Sequence, residues 1–352
     1  MLRIRRFSKL FVLLGLASLG YALNENDPCI NPAGIPGQCI YLRDCKPLMK
    51  IYNKAMVTQP EIRFLEDSRC GTRADRKPLL CCATISSLPK APFCGVTLED
   101  RIVGGQVTNL DEYPWTGLIQ YRKSDGRTEF RCGASLINSR YVVTAGHCIN
   151  PRNWEIIGVR LGEWDLNSER DCVDGECAYA PVDMGVEKII LHEDYSPQLK
   201  AQHNDIALIR FTRDVNMTMF IAPVCLPIDS AQRTHNIIGT NGVAVGWGLT
   251  EDNAASNVKL KVGLEFKELQ SCARIYRPTG IILADTQMCA GGIRGKDTCT
   301  GDSGGPLMKQ INATFYLYGV ISFGPSKCGM KGVPGIYTNV VKYIDWIKRN
   351  IE

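Results

Sequence analysis

Short hydrophobic runs separated by turns dominate the chain from Arg101 onward. They lie at 115–121, 134–137, 141–144, 185–191, 205–211, 243–247 and 316–322. Many short strands within a domain of about 250 residues are typical of an all-β barrel or sandwich. The end of the chain differs, because apolar residues recur there at steps of three and four: Val340, Val341, Ile344, Ile347 and Ile351. This spacing predicts a carboxy-terminal amphipathic helix.

The first 22 residues have the pattern of a secretory signal peptide. Arg3, Arg5, Arg6 and Lys9 precede an apolar run at 10–19, and a small residue, Ala22, closes the segment. The run is too short to span a bilayer comfortably, although an uncleaved membrane anchor is the alternative interpretation. Because no other segment is apolar enough to cross a membrane, we expect a secreted, soluble mature protein.

The formal net charge of +5 comes largely from this leader. Without residues 1–22, four of the 41 basic residues are lost, which leaves 37 against 36 acidic residues. A nearly neutral mature chain gives no reason to expect nucleic acid or an acidic membrane as a partner.

The 16 cysteines predict eight disulfides, because an even and high count in a secreted chain favours disulfides over metal ligands or redox thiols. Six of them crowd into the 54 residues from Cys29 to Cys82, a segment too small to be held by a hydrophobic core alone. Six cysteines allow 15 pairings, and their spacing does not choose among them. Asn216 and Asn312 stand in glycosylation sequons, which fit the same compartment.

Three separated motifs carry candidate chemistry: 142–148 (VVTAGHC), 203–208 (HNDIAL) and 301–306 (GDSGGP). They present His147, Asp205 and Ser303. A serine hydroxyl becomes a good nucleophile only when a base takes its proton, and neutral imidazole suits that task. The imidazole in turn needs a carboxylate to fix its tautomer, and glycines let backbone N–H groups approach a reacting oxygen.

Each motif has an ordinary structural interpretation when it is taken alone. A serine in a glycine turn is usually only a turn, and a histidine beside a cysteine is usually structural. All three motifs would rarely occur by chance in the order histidine, aspartate, serine and at these separations. The remaining histidines, His192, His203 and His235, lack such a context and are interpreted as ordinary polar positions.

With these motifs the sequence resembles the chymotrypsin/trypsin family from Ile102 to about the carboxy terminus. Further matching stretches are 101–105 (RIVGG), 114–115 (PW), 245–248 (VGWG) and 334–338 (PGIYT). The resemblance implies two six-stranded β-barrels with the active site between them. It makes His147 the general base, Asp205 its orienter and Ser303 the nucleophile. The backbone N–H groups of Gly301 and Ser303 would form the oxyanion hole.

The resemblance also implies a substrate pocket and an activation device. Asp297 would lie at the base of the pocket and select Arg or Lys, since a carboxylate in an apolar slot needs a cationic guest. The other substrate-binding positions are Ser322, Gly324 and Gly335. Cleavage between Arg101 and Ile102 would create a new ammonium at Ile102 that inserts beside Asp302.

The amino-terminal cysteines resemble those of the clip domain of arthropod haemolymph proteases. The match rests on the long gap after Cys45 and on the adjacent Cys81 and Cys82. The two resemblances together imply eight pairs: Cys29–Cys81, Cys39–Cys70, Cys45–Cys82, Cys94–Cys225, Cys132–Cys148, Cys172–Cys177, Cys272–Cys289 and Cys299–Cys328. The predicted domains are a signal peptide at 1–22, a clip domain at 28–82, a linker and activation segment at 83–101, and a trypsin-like peptidase domain at 102–352.

A calcium site is a further hypothesis. Glu163, Asp165 and Asp171 cluster just before Cys172, and Ca²⁺ prefers such hard oxygen ligands. A solvated acidic loop is the alternative interpretation.

The family resemblance predicts a zymogen endopeptidase of haemolymph that cleaves after Arg or Lys in an immune or developmental cascade, such as melanisation or Toll-ligand processing. The implied partners are protein substrates, an upstream activating protease and serpin inhibitors. One alternative is a catalytically silent clip-domain homologue acting as a binding cofactor, but such homologues commonly lose the serine. Another is a digestive trypsin, which would not need the clip module.

Overall fold

The computed structural model describes residues 23–32, 36–54, 56–83, 88–97, 106–149, 154–249, 255–293, 298, 301–325 and 329–351. The described residues form two compact units, the first ending at Ala83 and the second following it along the chain. Within the described residues no helix is both long and apolar enough to cross a membrane.

The first unit is a small four-stranded sheet with two helices. Its strands are β1 (Pro28–Ile30), β2 (Pro36–Tyr41), β3 (Arg69–Thr72) and β4 (Pro78–Ala83), and its helices are α1 (Lys46–Tyr52) and α2 (Gln59–Asp67). The strand order is β1-β2-β4-β3. A capping box starts α2, because Thr58 and Glu61 satisfy each other's backbone N–H groups. The core is small, with Leu48 and Leu80 buried beside Cys45 and Cys82.

The second unit is mainly β-sheet. Its strands are β5 (Gln106–Val107), β6 (Thr116–Lys123), β7 (Thr128–Leu136), β8 (Tyr141–Thr144), β9 (Trp154–Leu161), β10 (Cys172–Val173), β11 (Glu176–Cys177), β12 (Val182–Met184), β13 (Val186–Leu191), β14 (Ala207–Phe211), β15 (Asn241–Gly246), β16 (Leu260–Lys267), β17 (Gln287–Ala290), β18 (Pro306–Ile311), β19 (Thr314–Phe323) and β20 (Gly335–Asn339). Its helices are α3 (Gly146–Ile149), α4 (Ser230–Arg233), α5 (Leu269–Tyr276) and α6 (Val340–Asn350).

Two seven-stranded sheets form the two barrels of this unit. The first has the order β12-β9-β6-β7-β8-β14-β13, and the second β15-β18-β19-β20-β17-β16-β5. In the second sheet β15 also pairs with β16, which closes a ring of six strands and leaves the two-residue β5 as an addition. The all-β two-barrel fold predicted from the sequence is therefore present, with short strands beyond the six expected for each barrel.

The carboxy-terminal helix α6 is present as the apolar spacing predicts. Asn339 caps it by accepting a hydrogen bond from the Val341 backbone N–H. Its buried face packs into the core that also holds the strands of the first sheet. That face includes Tyr343 and Trp346 as well as the predicted aliphatic residues Val340, Ile344 and Ile347.

Candidate active site

Two paired strands bring the predicted histidine and aspartate together. His147 lies in α3, which follows the end of β8, and Asp205 lies two residues before β14. The strands are antiparallel with Thr144 opposite Ala207, so the end of one meets the start of the other. Two side chains that are 58 positions apart in the sequence are thus in direct contact.

Asp205 holds His147 through both of its carboxylate oxygens. Oδ1 accepts a hydrogen bond from the His147 backbone N–H at 2.7 Å, and Oδ2 lies 2.8 Å from the ring Nδ1. Oδ2 also accepts a hydrogen bond from the Ser322 hydroxyl at 2.5 Å. The carboxylate is fully buried, so these donors replace the water that an ionised group requires.

The surroundings of this pair perturb two nearby pKa values. Burial of the His147 imidazole opposes its protonation, but the charge and hydrogen bond of Asp205 outweigh burial and raise its pKa above the usual value. Burial, together with the charge of Asp205, raises the pKa of Tyr195. His147 is therefore the base of this pair, and its Nδ1 side is the one that Asp205 holds.

Ser303 lies in a tight turn that packs against the strands leading to His147. The Ser303 carbonyl accepts a hydrogen bond from the Gly133 N–H at 2.8 Å, and the Gly304 N–H donates to Ile321 at 2.8 Å. Gly304 has a φ of 78°, and a Cβ on it would collide with the Thr144 hydroxyl and the Gly133 carbonyl. Only glycine therefore allows this close approach of the serine turn to the end of β8.

The candidate oxyanion-hole residues frame the same turn. Gly301 has a φ of 101°, and Ser303 follows two residues later in the half-buried part of the turn. Between them, Asp302 turns away toward the 246–248 segment, where its Oδ1 accepts a hydrogen bond from the Gly248 N–H at 2.8 Å. A Cβ on Gly246 or Gly248 would overlap the Asp302 carboxylate, so these two glycines provide the space it occupies.

Two of the predicted pocket residues face each other at the ends of neighbouring strands. Gly324 follows β19 and Gly335 begins β20, and a Cβ on Gly324 would lie 3.9 Å from the Gly335 Cα. Thr298 lies near them, with its Oγ1 3.1 Å from the Tyr337 hydroxyl. Asp297, Arg101 and Ile102 lie outside the described residues, so the base of the pocket and the cleavage site remain sequence predictions.

Seven of the implied cysteine pairs are disulfides in the structure: Cys29–Cys81, Cys39–Cys70, Cys45–Cys82, Cys94–Cys225, Cys132–Cys148, Cys172–Cys177 and Cys272–Cys289. Cys299 and Cys328 belong to the part of the chain that is not described. The sequon residues Asn216 and Asn312 are both exposed, and Asn312 lies in the turn between β18 and β19. Glycosylation of either residue stays a prediction.

The structure gathers only two of the three predicted calcium ligands. Glu163 and Asp171, 1% and 2% exposed, both accept a hydrogen bond from the Trp164 N–H, at 2.9 Å each. Burial and the charge of the nearby Asp171 raise the pKa of Glu163, as expected for two carboxylates that lie close together. Arg160 lies 3.3 Å from Glu163 and supplies part of the compensating charge.

The structure does not cluster Asp165 with that pair, and calcium binding in this loop stays a prediction. The Asp165 Oδ1 instead accepts a hydrogen bond from the Asn167 N–H within its own turn, at 3.0 Å. Among the described residues, the one group with three clustered metal-ligand atoms is Cys132, His147 and Cys148, and its two cysteines are already joined to each other. Of the three predicted calcium ligands, the described structure therefore brings only Glu163 and Asp171 together.

Sequence reasoning missed several residues around the aspartate. Ser322 was expected only beside the substrate, yet it donates to Asp205. Thr338 donates from its Oγ1 to the Asp205 carbonyl at 2.7 Å, and the Tyr343 hydroxyl donates to Asn204 at 2.8 Å. Thr338 stands in the PGIYT stretch that carried the resemblance, which was the one available signal for it.

Known proteins are similar to this chain over both of its units. The family model described as trypsin matches residues 102–347, and the model of the regulatory CLIP domain of proteinases matches residues 29–82. A relative from Anopheles gambiae, CLIP domain-containing serine protease B4, is 51% identical and covers 98% of this chain and 99% of its own. Melanization protease 1 of Drosophila melanogaster is 38% identical, with 98% of each chain covered.

A solved structure is also similar over most of the chain. It is the crystal structure of the Drosophila Grass clip serine protease of the Toll pathway, with a TM-score of 0.64 and 29% identity. The match covers 92% of this chain and 97% of that one.

Proposed function

Because this chain belongs to the trypsin family of serine proteases and carries a clip domain ahead of its protease domain, we propose that it is a secreted zymogen that cleaves proteins after Arg or Lys. Its substrates would be precursors in an extracellular haemolymph cascade of melanisation or Toll-ligand processing. Relatives and a similar structure carry such roles in their names, melanization protease 1 and a protease of the Toll pathway. The partners are then an upstream activating protease, the protein substrates and serpin inhibitors.

The contact between Asp205, His147 and Ser322 is the observation that carries the proposal. A fully buried carboxylate holds the Nδ1 side of the imidazole and leaves Nε2 as the proton acceptor. In the proposed reaction Nε2 takes the proton of the Ser303 hydroxyl while its Oγ attacks the scissile carbonyl. The imidazolium, stabilised by Asp205, then gives that proton to the leaving amine. As the amine leaves, the scissile C–N bond breaks and the acyl group stays on Ser303 Oγ. Water then attacks the acyl carbon while Nε2 takes its proton, and that proton returns to Oγ as the acid is released.

Two further roles complete the proposed reaction. The N–H groups of Gly301 and Ser303 stabilise the negative oxygen of the tetrahedral intermediate. Asp297 pairs with the basic side chain of the substrate, for which Gly324 and Gly335 leave room. This assignment is supported by the two facing strand ends, because neither Gly324 nor Gly335 has a side chain that would fill the space between them.

The activation proposal is that cleavage after Arg101 frees the Ile102 ammonium to pair with Asp302. Asp302 directly precedes the proposed nucleophile Ser303 in the sequence. Its carboxylate occupies the space left by the missing side chains of Gly246 and Gly248. An ion pair there would order the neighbouring oxyanion hole, so the uncut precursor is expected to be nearly inactive. The clip-domain unit would stay attached after the cut through Cys94–Cys225.

One structural ion belongs to the proposal. Calcium would be held by Glu163 and Asp171, whose buried carboxylates converge on one backbone N–H, and Asp165 would not take part. The ion would supply positive charge to the 163–171 loop and would have no part in the reaction.

The decisive experiment compares substrates on the cut enzyme. Precursor is cut after Arg101, the new terminus is verified as Ile102, and kcat/KM is measured on matched Arg and Phe chromogenic peptides. We expect Arg hydrolysis to exceed Phe hydrolysis by about 10⁴-fold, and Asp297→Ser to remove most of that preference. Ser303→Ala is the matched control and should lower turnover by about 10⁶. Equal hydrolysis of both peptides would refute the pocket assignment, and a fully active Ser303→Ala enzyme would refute the nucleophile.

A further inference from the structure

The backbone around the catalytic aspartate is held in an unusual conformation. Asn204 has a φ of 56°, in the left-handed region, and the Ile206 N–H donates to the Asn204 carbonyl at 2.8 Å. That bond closes a three-residue turn with Asp205 at its centre. Residues in such sparsely populated conformations persist when their surroundings fix them. The surroundings of this turn therefore decide where the Asp205 carboxylate points.

Two hydroxyl groups from the last part of the chain fix this turn. Thr338, 2% exposed on β20, donates to the carbonyl oxygen of Asp205 at 2.7 Å. Tyr343, buried on α6, donates to Oδ1 of Asn204 at 2.8 Å. The Asn204 side-chain amide in turn donates to the Asp194 carbonyl at 3.2 Å. The strand β20 and the helix α6 thus contact two of the three residues of this turn, Asp205 and Asn204.

We propose that Thr338 and Tyr343 are positioning residues for catalysis, which hold Asp205 in place for His147 through its backbone rather than its carboxylate. This inference rests on the proposed function, since it assigns a task to residues behind the same site. Neither hydroxyl touches a reacting atom. Their task follows from the carboxylate geometry, because Asp205 must meet the His147 N–H, the His147 ring and the Ser322 hydroxyl at once.

The expected effect is on turnover rather than on substrate binding. Loss of one buried hydrogen bond changes an equilibrium by about fivefold, so Thr338→Val should lower kcat by about fivefold and leave KM unchanged. A less firmly held Asp205 raises the pKa of His147 less, so the acid limb of the kcat profile should move to lower pH. Burial, together with the charge of Asp205, raises the pKa values of Tyr195 and Tyr343, so both hydroxyls stay neutral over that range.

Thr338 offers a closely matched pair of variants. Thr338→Val keeps the shape and loses the hydroxyl, whereas Thr338→Ser keeps the hydroxyl and loses a methyl. Tyr343→Phe tests the second contact by the same logic, and the double variant Thr338→Val/Tyr343→Phe should lose about 25-fold in kcat if the two hydrogen bonds add. Melting temperature is measured on every cut protein, and variants are compared at a temperature where all are folded.

The outcomes separate this inference from the proposed function. An inactive wild-type enzyme, cut and folded, would refute the proposed function itself. With an active wild type, a lower kcat, a shifted acid limb and recovery in Thr338→Ser support the positioning role. Unchanged kcat in both Thr338→Val and Tyr343→Phe would overturn it. So would an equal loss in Thr338→Ser, or an effect confined to KM.

Discussion

At the scale of single residues, Asp205 combines full burial with an unusual number of donors. Its carboxylate accepts hydrogen bonds from the His147 backbone, the His147 ring and Ser322. Removing a charged group from water costs several kcal/mol unless such partners replace the solvent. The negative charge is therefore retained beside the imidazole, where it stabilises the protonated form.

The first prediction concerns the pH dependence that results. The general base must be neutral to act, and Asp205 raises the pKa of His147 above 6.5 despite burial. Activity should therefore be lost as pH falls through a midpoint above 6.5. Asp205→Asn should lower kcat by about 10⁴-fold. It should also move the midpoint of the residual activity to lower pH, because only the effect of burial remains.

The measurement is kcat/KM for an Arg peptide across pH in wild type and variant. Asp183→Asn is the control, since it neutralises a half-exposed carboxylate that pairs with Arg160. Its midpoint should equal that of the wild type. An Asp205→Asn midpoint at or above the wild-type value would contradict the assignment of Asp205.

The second prediction tests the calcium proposal at the same scale. Millimolar calcium should raise the melting temperature of the wild type, because a bound cation relieves the repulsion between Glu163 and Asp171. Glu163→Gln and Asp171→Asn should abolish that rise. Asp165→Asn is the matched control and should keep it, because Asp165 is engaged within its own turn. A calcium response lost in Asp165→Asn, or retained in both other variants, would contradict the two-carboxylate site.

At the scale of elements, the segment that begins with the short strand β5 is held to β16 by backbone pairing and also by an ion pair. Val107 and Gln106 pair with Leu260 and Lys261. The Lys261 ammonium lies 2.6 and 2.8 Å from the two carboxylate oxygens of Glu112, and both side chains are buried. The chain that follows the predicted cleavage site is thus held from Gln106 onward by a backbone pairing and a buried ion pair.

The third prediction concerns this pair. Glu112→Gln removes the carboxylate from a buried ion pair with Lys261 and should cost about 3–5 kcal/mol of unfolding free energy. The double variant Glu112→Gln/Lys261→Met should recover much of that loss, because the buried ammonium charge is removed together with the carboxylate. Denaturant unfolding of the uncut protein measures both. A loss of under about 0.5 kcal/mol in Glu112→Gln would show that the pair contributes nothing.

How far the elements could be predicted depended on how regular their patterns are. Each of the predicted hydrophobic runs overlaps a strand, and the three- and four-residue spacing located α6. The sheet of the first unit was not predicted, because its disulfides and small core leave little hydrophobic periodicity. Contacts such as Thr338 with Asp205, 133 residues apart, depend on how the middle and the end of the protease unit fold together. No local pattern encodes them.

At the scale of the whole molecule, Cys94–Cys225 joins residues on opposite sides of the predicted cut. The fourth prediction is that protein cut after Arg101 runs as one band on a gel without reductant and as two bands with it. Arg101→Gln should remain one band in both lanes after exposure to the activating protease. Release of the amino-terminal chain without reductant would contradict the proposed retention of the clip-domain unit.

The same disulfide fixes the second end of the linker, so the number of linker residues limits how far apart its two ends can lie. Eleven residue steps separate Ala83, the last residue of β4, from Cys94, and a chain of that length reaches at most about 40 Å. A molecule held by the first unit is therefore confined near the second at an effective concentration of about millimolar, whether or not the peptide bond at Arg101 is intact. The proposed cleavage after Arg101 would therefore leave a molecule bound to the first unit at the same effective concentration near the second unit as before the cut.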